Sequence, residues 1–91
     1  MDITWDSRKA DVNLAKHGVT FADVEVVLND PLALTAEDPD AEDERRFLTI
    51  GADSFGRIVA VVYTYRDEAQ IRLISARRAT RNERSNYARG I

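Results

Sequence analysis

The sequence has no cysteine, one histidine and only two prolines. Without cysteine there is no disulfide framework and no thiolate metal site, a composition compatible with a reducing compartment. His17 has neither a second histidine nor a cysteine to join it, so no imidazole- or thiolate-based metal site can be assembled. No apolar run approaches the ~20 residues that a bilayer span requires. The N-terminal MDITWDSRK lacks the apolar stretch of a secretory signal. The expectation is a cytoplasmic protein with no membrane segment. A phosphate-binding glycine loop and a Ser-His-Asp order are also missing, which leaves NTPase, protease and esterase readings without support.

What is present fits one domain, residues 1–91, with 44% apolar residues for a single modest core and 32% charged residues to solvate it. The net charge of −3 conceals an asymmetry. Residues 1–44 carry twelve acids against Arg8, Lys9 and Lys16, a balance of −9; residues 45–91 carry ten arginines against four acids, a balance of +6. A polyanion responds to the local field, so the acidic pI of about 5.1 does not decide the partner. Eleven of the thirteen bases are arginine, whose planar donors suit phosphate and carboxylate in a bidentate manner.

Patterning gives the order β-α-α-β-β-β-β-α, an α+β fold in which helices cover one face of a small antiparallel sheet. Asp2 to Trp5 alternates as a short strand. Asp6 or Ser7 then caps a helix to about Lys16, and Gly18 closes it at positive φ. Thr20 restarts helical structure, with Phe21, Val24, Val27 and Leu28 at helical spacing and a stop before Pro31. Leu32 to Thr35 suggests an edge strand. EDPDAEDE, six acids in eight residues, reads most simply as a solvated loop; a carboxylate-only magnesium site is the alternative there, although the run lacks the alternation and glycine of a calcium loop. Strands follow near residues 46–51, 57–65 and 70–76, joined by hairpin-length connections. The final helix runs from a Thr80/Glu83 capping box to Gly90.

The arginine series Arg66, Arg72, Arg77, Arg78, Arg81, Arg84 and Arg89 is the strongest chemical feature. Arg77, Arg81 and Arg84 stand at helical spacing and would form one basic ridge, an attraction for nucleic acid. The same cations would equally serve to neutralise the acidic half internally. Tyr63 and Tyr65 share a strand face and, with Phe47 and Tyr87, offer rings on which bases could stack or which pack a core; Trp5 is read as packing. His17 suits proton transfer as a residue type, and imidazolium at a helix C-terminus is also a stabilising device.

Taken together, "WD" at 5–6, Lys9, Asn13, "KHGV" at 16–19, Phe21, "DP" at 30–31, "ER" at 44–45, "IG" at 50–51, "GR" at 56–57, "ISARRAT" at 74–80 and "ERSNY" at 83–87 resemble the BrnT family of toxins. The resemblance runs nearly end to end. It implies the toxin half of a type II toxin–antitoxin pair, a small ribonuclease that slows translation, with a fold similar to RelE. It also implies a BrnA-like ribbon-helix-helix antitoxin that masks the toxin, operator DNA being bound only through their complex. Carry-over is most direct for Lys16, His17, Arg77, Glu83, Arg84 and Tyr87.

The expected chemistry needs no metal and no cofactor: the RNA 2′-hydroxyl attacks the adjacent phosphorus, giving a 2′,3′-cyclic phosphate. Arg77 and Arg72 are expected to hold the phosphate, with Arg45 as a third clamp. His17 is the first candidate for proton transfer, with Tyr63 or Glu83 in reserve. Lys16, Arg45, Arg78, Arg81, Arg84 and Tyr87 are the expected substrate contacts. The competing expectation is a noncatalytic module whose basic face binds nucleic acid or an acidic protein segment.

Overall fold

The structure, a computed structural model, describes residues 2–90. Five strands and three helices follow in the order β1 (Asp2–Thr4), α1 (Ser7–His17), α2 (Val24–Leu28), β2 (Leu34–Glu37), β3 (Phe47–Ala52), β4 (Ile58–Asp67), β5 (Gln70–Arg78) and α3 (Arg81–Arg89). A 3-10 turn, Phe21–Asp23, leads into α2. None of the helices is long and apolar enough to cross a membrane.

Local chemistry sets the helix ends. The Asp6 carboxylate accepts from the amides of Arg8 and Lys9 and so caps α1. Gly18, at φ 70°, donates its N–H to the Leu14 carbonyl and ends the helix in the left-handed conformation. At α3 the capping box is complete, since the Thr80 hydroxyl accepts from Glu83 N and the Glu83 carboxylate accepts from Thr80 N. The helix expected to restart at Thr20 begins later, at Val24. The Thr20 hydroxyl donates to the Asp23 carboxylate rather than capping a backbone amide, and the chain makes a 3-10 turn before α2 begins.

The strands form one sheet in the order β1-β5-β4-β3-β2. Strands β2 to β5 are an antiparallel meander, as the short connections require, but β1 joins β5 in parallel. The sheet is therefore mixed, a correction to the antiparallel expectation. Hairpin lengths reveal only neighbours in sequence, whereas β1 and β5 pair across most of the chain.

Alternation along β4 separates two cores. Val59, Val61 and Tyr63 face α1 and α2 and pack with Phe21, Val24, Val27, Ile71 and Leu73. Ala60 and Ile58 face the other way and pack with Ile50, Ala79 and Tyr87 of α3. The helices thus lie on both faces of the sheet rather than on one. The Tyr87 hydroxyl, donating to Asp30, fastens α3 to the chain just beyond α2. Close packing of α2 on β3 depends on Gly51, where a Cβ would stand 2.8 Å from the Val27 carbonyl oxygen.

The register also sorts charge along the strands. The β2–β3 connection with its acidic run, the β4–β5 turn with Asp67 and Glu68, and Asp2 gather at one end of the sheet. Arg57, Arg77, Arg78 and Arg81 gather at the other. The acids at that basic end are engaged internally: Asp30 with Tyr87, Asp53 with Arg57 and Glu83 with Arg77.

Candidate functional site

Strand β1 ends at Thr4, opposite Arg72, so the rest of the β5 edge has no strand partner. Asn13 on α1 covers it instead. Its Oδ1 accepts from Ala76 N at 3.0 Å, while its Nδ2 donates to Ala76 O at 2.8 Å and Val19 O at 3.0 Å. The side chain is only 5% exposed and pairs the strand edge as a neighbouring backbone would.

Beside this contact α1 and β5 enclose a cleft of about 300 Å³, lined by Arg8, Lys9, Val12, Asn13, Lys16, His17, Ile74 and Ser75. Arg8/Lys9, Val12/Asn13 and Lys16/His17 recur every four residues, which places them on one helix face. Every ionisable side chain lining the cleft is basic. A β-bulge between Val62 and Tyr63 shifts the pairing so that Ser75 faces Val62 and Arg77 faces Ala60. Ser75 and Arg77 therefore share one strand face, about 6.6 Å apart along the backbone; Ser75 lines the cleft and Arg77 does not.

Arg77 is held by Glu83 through two hydrogen bonds, Nη1–Oε1 at 2.7 Å and Nη2–Oε2 at 3.1 Å. Hydrogen bonding from Arg77, against the opposing effect of burial and with help from the Thr80 amide, lowers the Glu83 carboxyl from its ordinary 4.5 to about 2. A group so acidic is ionised throughout the neutral range and makes a poor proton carrier there. Its position fits orientation of Arg77.

The other anticipated residues are dispersed. Arg72 donates to Glu44 at 3.3 Å, roughly 15 Å along β5 from Arg77. Arg45 is paired with Glu37 at 2.6 Å, also at the acidic end. The expectation that Arg45, Arg72 and Arg77 clamp one phosphate together is corrected on this ground: strand rise separates Arg77 from the other two, and a different carboxylate holds each of the three. Tyr63 is 5% exposed, faces the core with α1 and α2, and hydrogen-bonds the Thr49 hydroxyl. It lies on the sheet face opposite Arg72 and Arg77. Arg78 and Arg81 are exposed at the β5–α3 junction; Arg84 spends one donor on the Ala79 carbonyl. The Tyr87 hydroxyl is committed to Asp30 and its ring to the smaller core.

A family profile described as the ribonuclease toxin, BrnT, of type II toxin–antitoxin systems matches residues 5–83. This chain belongs to the BrnT family. The crystal structure of the Brucella abortus ribonuclease toxin, BrnT, is similar to it at a TM-score of 0.67 and 32% identity, covering 89% of this chain and 99% of that one. No curated protein sequence matches it. The α+β architecture is thus one shared with a BrnT structure.

Six cleft residues were absent from the expected site: the polar Arg8, Lys9, Asn13 and Ser75 and the apolar Val12 and Ile74. The four-residue recurrence along α1 was legible in the sequence and pointed to Arg8 and Lys9. Nothing local marked Ser75, because its place depends on the bulge and on where β1 stops.

Proposed function

We propose that this BrnT-family chain is an endoribonuclease toxin that acts in the cytoplasm, cleaves RNA by transesterification without a metal ion, and thereby inhibits translation. The observation that carries this reading is the α1–β5 cleft, where Arg8, Lys9, Lys16 and His17 converge with no carboxylate in the lining. A phosphodiester docking in this open cleft meets several exposed basic side chains on one helix face.

In the proposed reaction the RNA 2′-oxygen forms a bond to the adjacent phosphorus as the bond to the 5′-oxygen breaks. His17 accepts the 2′-hydroxyl proton. Lys16, its neighbour in the cleft, gives a proton to the departing 5′-oxygen. Arg8 and Lys9 bind the nonbridging oxygens, and Arg77, oriented by Glu83, holds the flanking phosphate beside Ser75. Products are a 2′,3′-cyclic phosphate and a free 5′-hydroxyl. Arg78, Arg81 and Arg84 extend positive charge along the path of the strand.

The partner in this reading is an antitoxin of the BrnA ribbon-helix-helix type, which covers the toxin and carries it to operator DNA. Incubation of the purified chain with end-labelled RNA in EDTA tests the chemistry. Fragments ending in cyclic phosphate are expected, and their absence with an active preparation overturns the mechanism. The pairing of Arg72 and Arg77 with carboxylates and the burial of Tyr63 favour one second reading, a module that binds RNA without cutting it. Retention of intact RNA in the same assay would support that module.

A further inference from the structure

A second cavity, about 570 Å³, opens at the acidic end of the sheet, where β3 begins and β4 ends. Phe47 and Tyr65 form its wall, their rings edge to face with centroids 5.2 Å apart. Tyr65 is 45% exposed although it is large and apolar over most of its surface. Glu44, Asp67 and Glu68 stand around the opening.

The aromatic wall already receives one cation. The guanidinium carbon of Arg45 lies 5.5 Å from the centroid of Phe47, and Glu37 balances its charge through hydrogen bonds of 2.9 and 2.6 Å. This internal arrangement shows that a guanidinium can sit against the ring while a carboxylate balances it. Tyr65 offers a second ring and Glu68 a second carboxylate, with no salt-bridge partner for Glu68 among the described residues.

Three carboxylates against one guanidinium, Arg45, line the cavity, and although Glu44 is paired with Arg46 and Arg72, the excess of acid disfavours a phosphate-bearing ligand, in contrast to the α1–β5 cleft. A metal ion is no better suited, since among the described residues no three histidine or acidic side chains gather to hold one. A planar guanidinium satisfies both features, by stacking on an aromatic ring and by pairing with a carboxylate. Beyond Glu44 a neighbouring cavity is rimmed by Asp38, Asp40, Glu42 and Asp43. A chain anchored in the aromatic cavity would therefore meet complementary charge along its continuation. That end of the sheet holds Asp2, Glu37, Asp38, Asp40, Glu42, Asp43, Glu44, Asp67 and Glu68 against Arg45, Arg46, Arg66 and Arg72, nine acids to four bases.

We propose that the Phe47/Tyr65 cavity docks a basic segment of a partner protein, with an arginine side chain as its anchor. The docking site is separate from the cleft and does not depend on RNA cleavage.

The test uses a fluorescent peptide of glycines and two arginines, titrated with the whole protein and followed by anisotropy, beside its glutamate counterpart and spermidine. Saturable binding by the arginine peptide is expected, weakened about tenfold by Tyr65→Ser. Glu68→Lys at the exposed turn should weaken it at least as much, while Tyr65→Phe keeps it. Circular dichroism checks that each variant is folded, and Glu68→Lys carries the test should Tyr65→Ser unfold. RNA cleavage by Glu68→Lys should equal that of the parent. Unchanged affinity in Glu68→Lys overturns the proposal, as does equal binding of the glutamate peptide. Equal, Tyr65-dependent binding of spermidine overturns it too, because it would make the cavity a polyamine site.

Discussion

Asn13 and Ala76, 63 residues apart in sequence, are joined by a reciprocal pair of hydrogen bonds that continues the sheet where β1 has ended. One turn beyond Asn13 stands His17, and one residue beyond Ala76 stands Arg77. This buried amide thus couples the helix that bears the imidazole to the strand that bears the guanidinium.

Asn13→Ala leaves the Ala76 amide and carbonyl without partners in a buried place. With about 1–3 kcal/mol for each unsatisfied buried group, softened by water entry, a loss of roughly 2–4 kcal/mol is expected. Urea denaturation measures it. A loss below about 0.5 kcal/mol would mean that the edge is satisfied in another way.

His17→Gln separates the two uses of the imidazole. Loss of the imidazole from the end of α1 should cost under about 1 kcal/mol, while RNA cleavage per folded molecule should fall by roughly 100-fold or more if His17 transfers the proton. Lost stability with normal turnover would leave only the helix-end role.

The Arg77–Glu83 pair makes a pH prediction. Glu83 is more acidic in the folded chain, about 2, than its ordinary 4.5. Its contribution is therefore complete above about pH 4.5 and declines as the pH falls toward 2, because the folded state must then lose the ion pair. With Arg77 about one-third exposed and screened by solvent, the amount is roughly 1–2 kcal/mol. Denaturant midpoints between pH 6 and pH 3 should converge for the parent and Glu83→Gln. Arg77→Ala should reduce cleavage strongly while the protein stays folded at neutral pH, and an unchanged rate removes Arg77 from the site.

Gly51→Ala tests the packing of α2 on β3. The new methyl would lie 2.8 Å from backbone, not from a flexible side chain, so the helix must move. A cost of about 1–3 kcal/mol is expected in thermal or urea unfolding. A neutral substitution would show that α2 shifts freely.

Local signals carried much of this fold. The Asp6 cap, the left-handed Gly18, the Thr80/Glu83 box and the alternation of β3 to β5 are all short-range chemistry, and each element formed within a few residues of its expected bounds. The candidate site was less legible. Lys16 and His17 lie together because they are adjacent on one helix, and Arg8 and Lys9 join them through a period the sequence already displays. Arg45, Arg72 and Arg77 have the same charge, but sequence alone could not show which carboxylates hold them.

The sequence by itself determined the secondary structure, the family and the imbalance between an acidic half and an arginine-rich half, because caps, periodicity and motifs act over a few residues. Only tertiary structure decided that β1 lies parallel to β5, that the meander sends acids and arginines to opposite ends, and that Tyr63 faces the core. The physical reason is long-range pairing: register and the bulge at Val62/Tyr63 set each side chain's face, and contacts such as Asn13 with Ala76 exist only after distant segments meet.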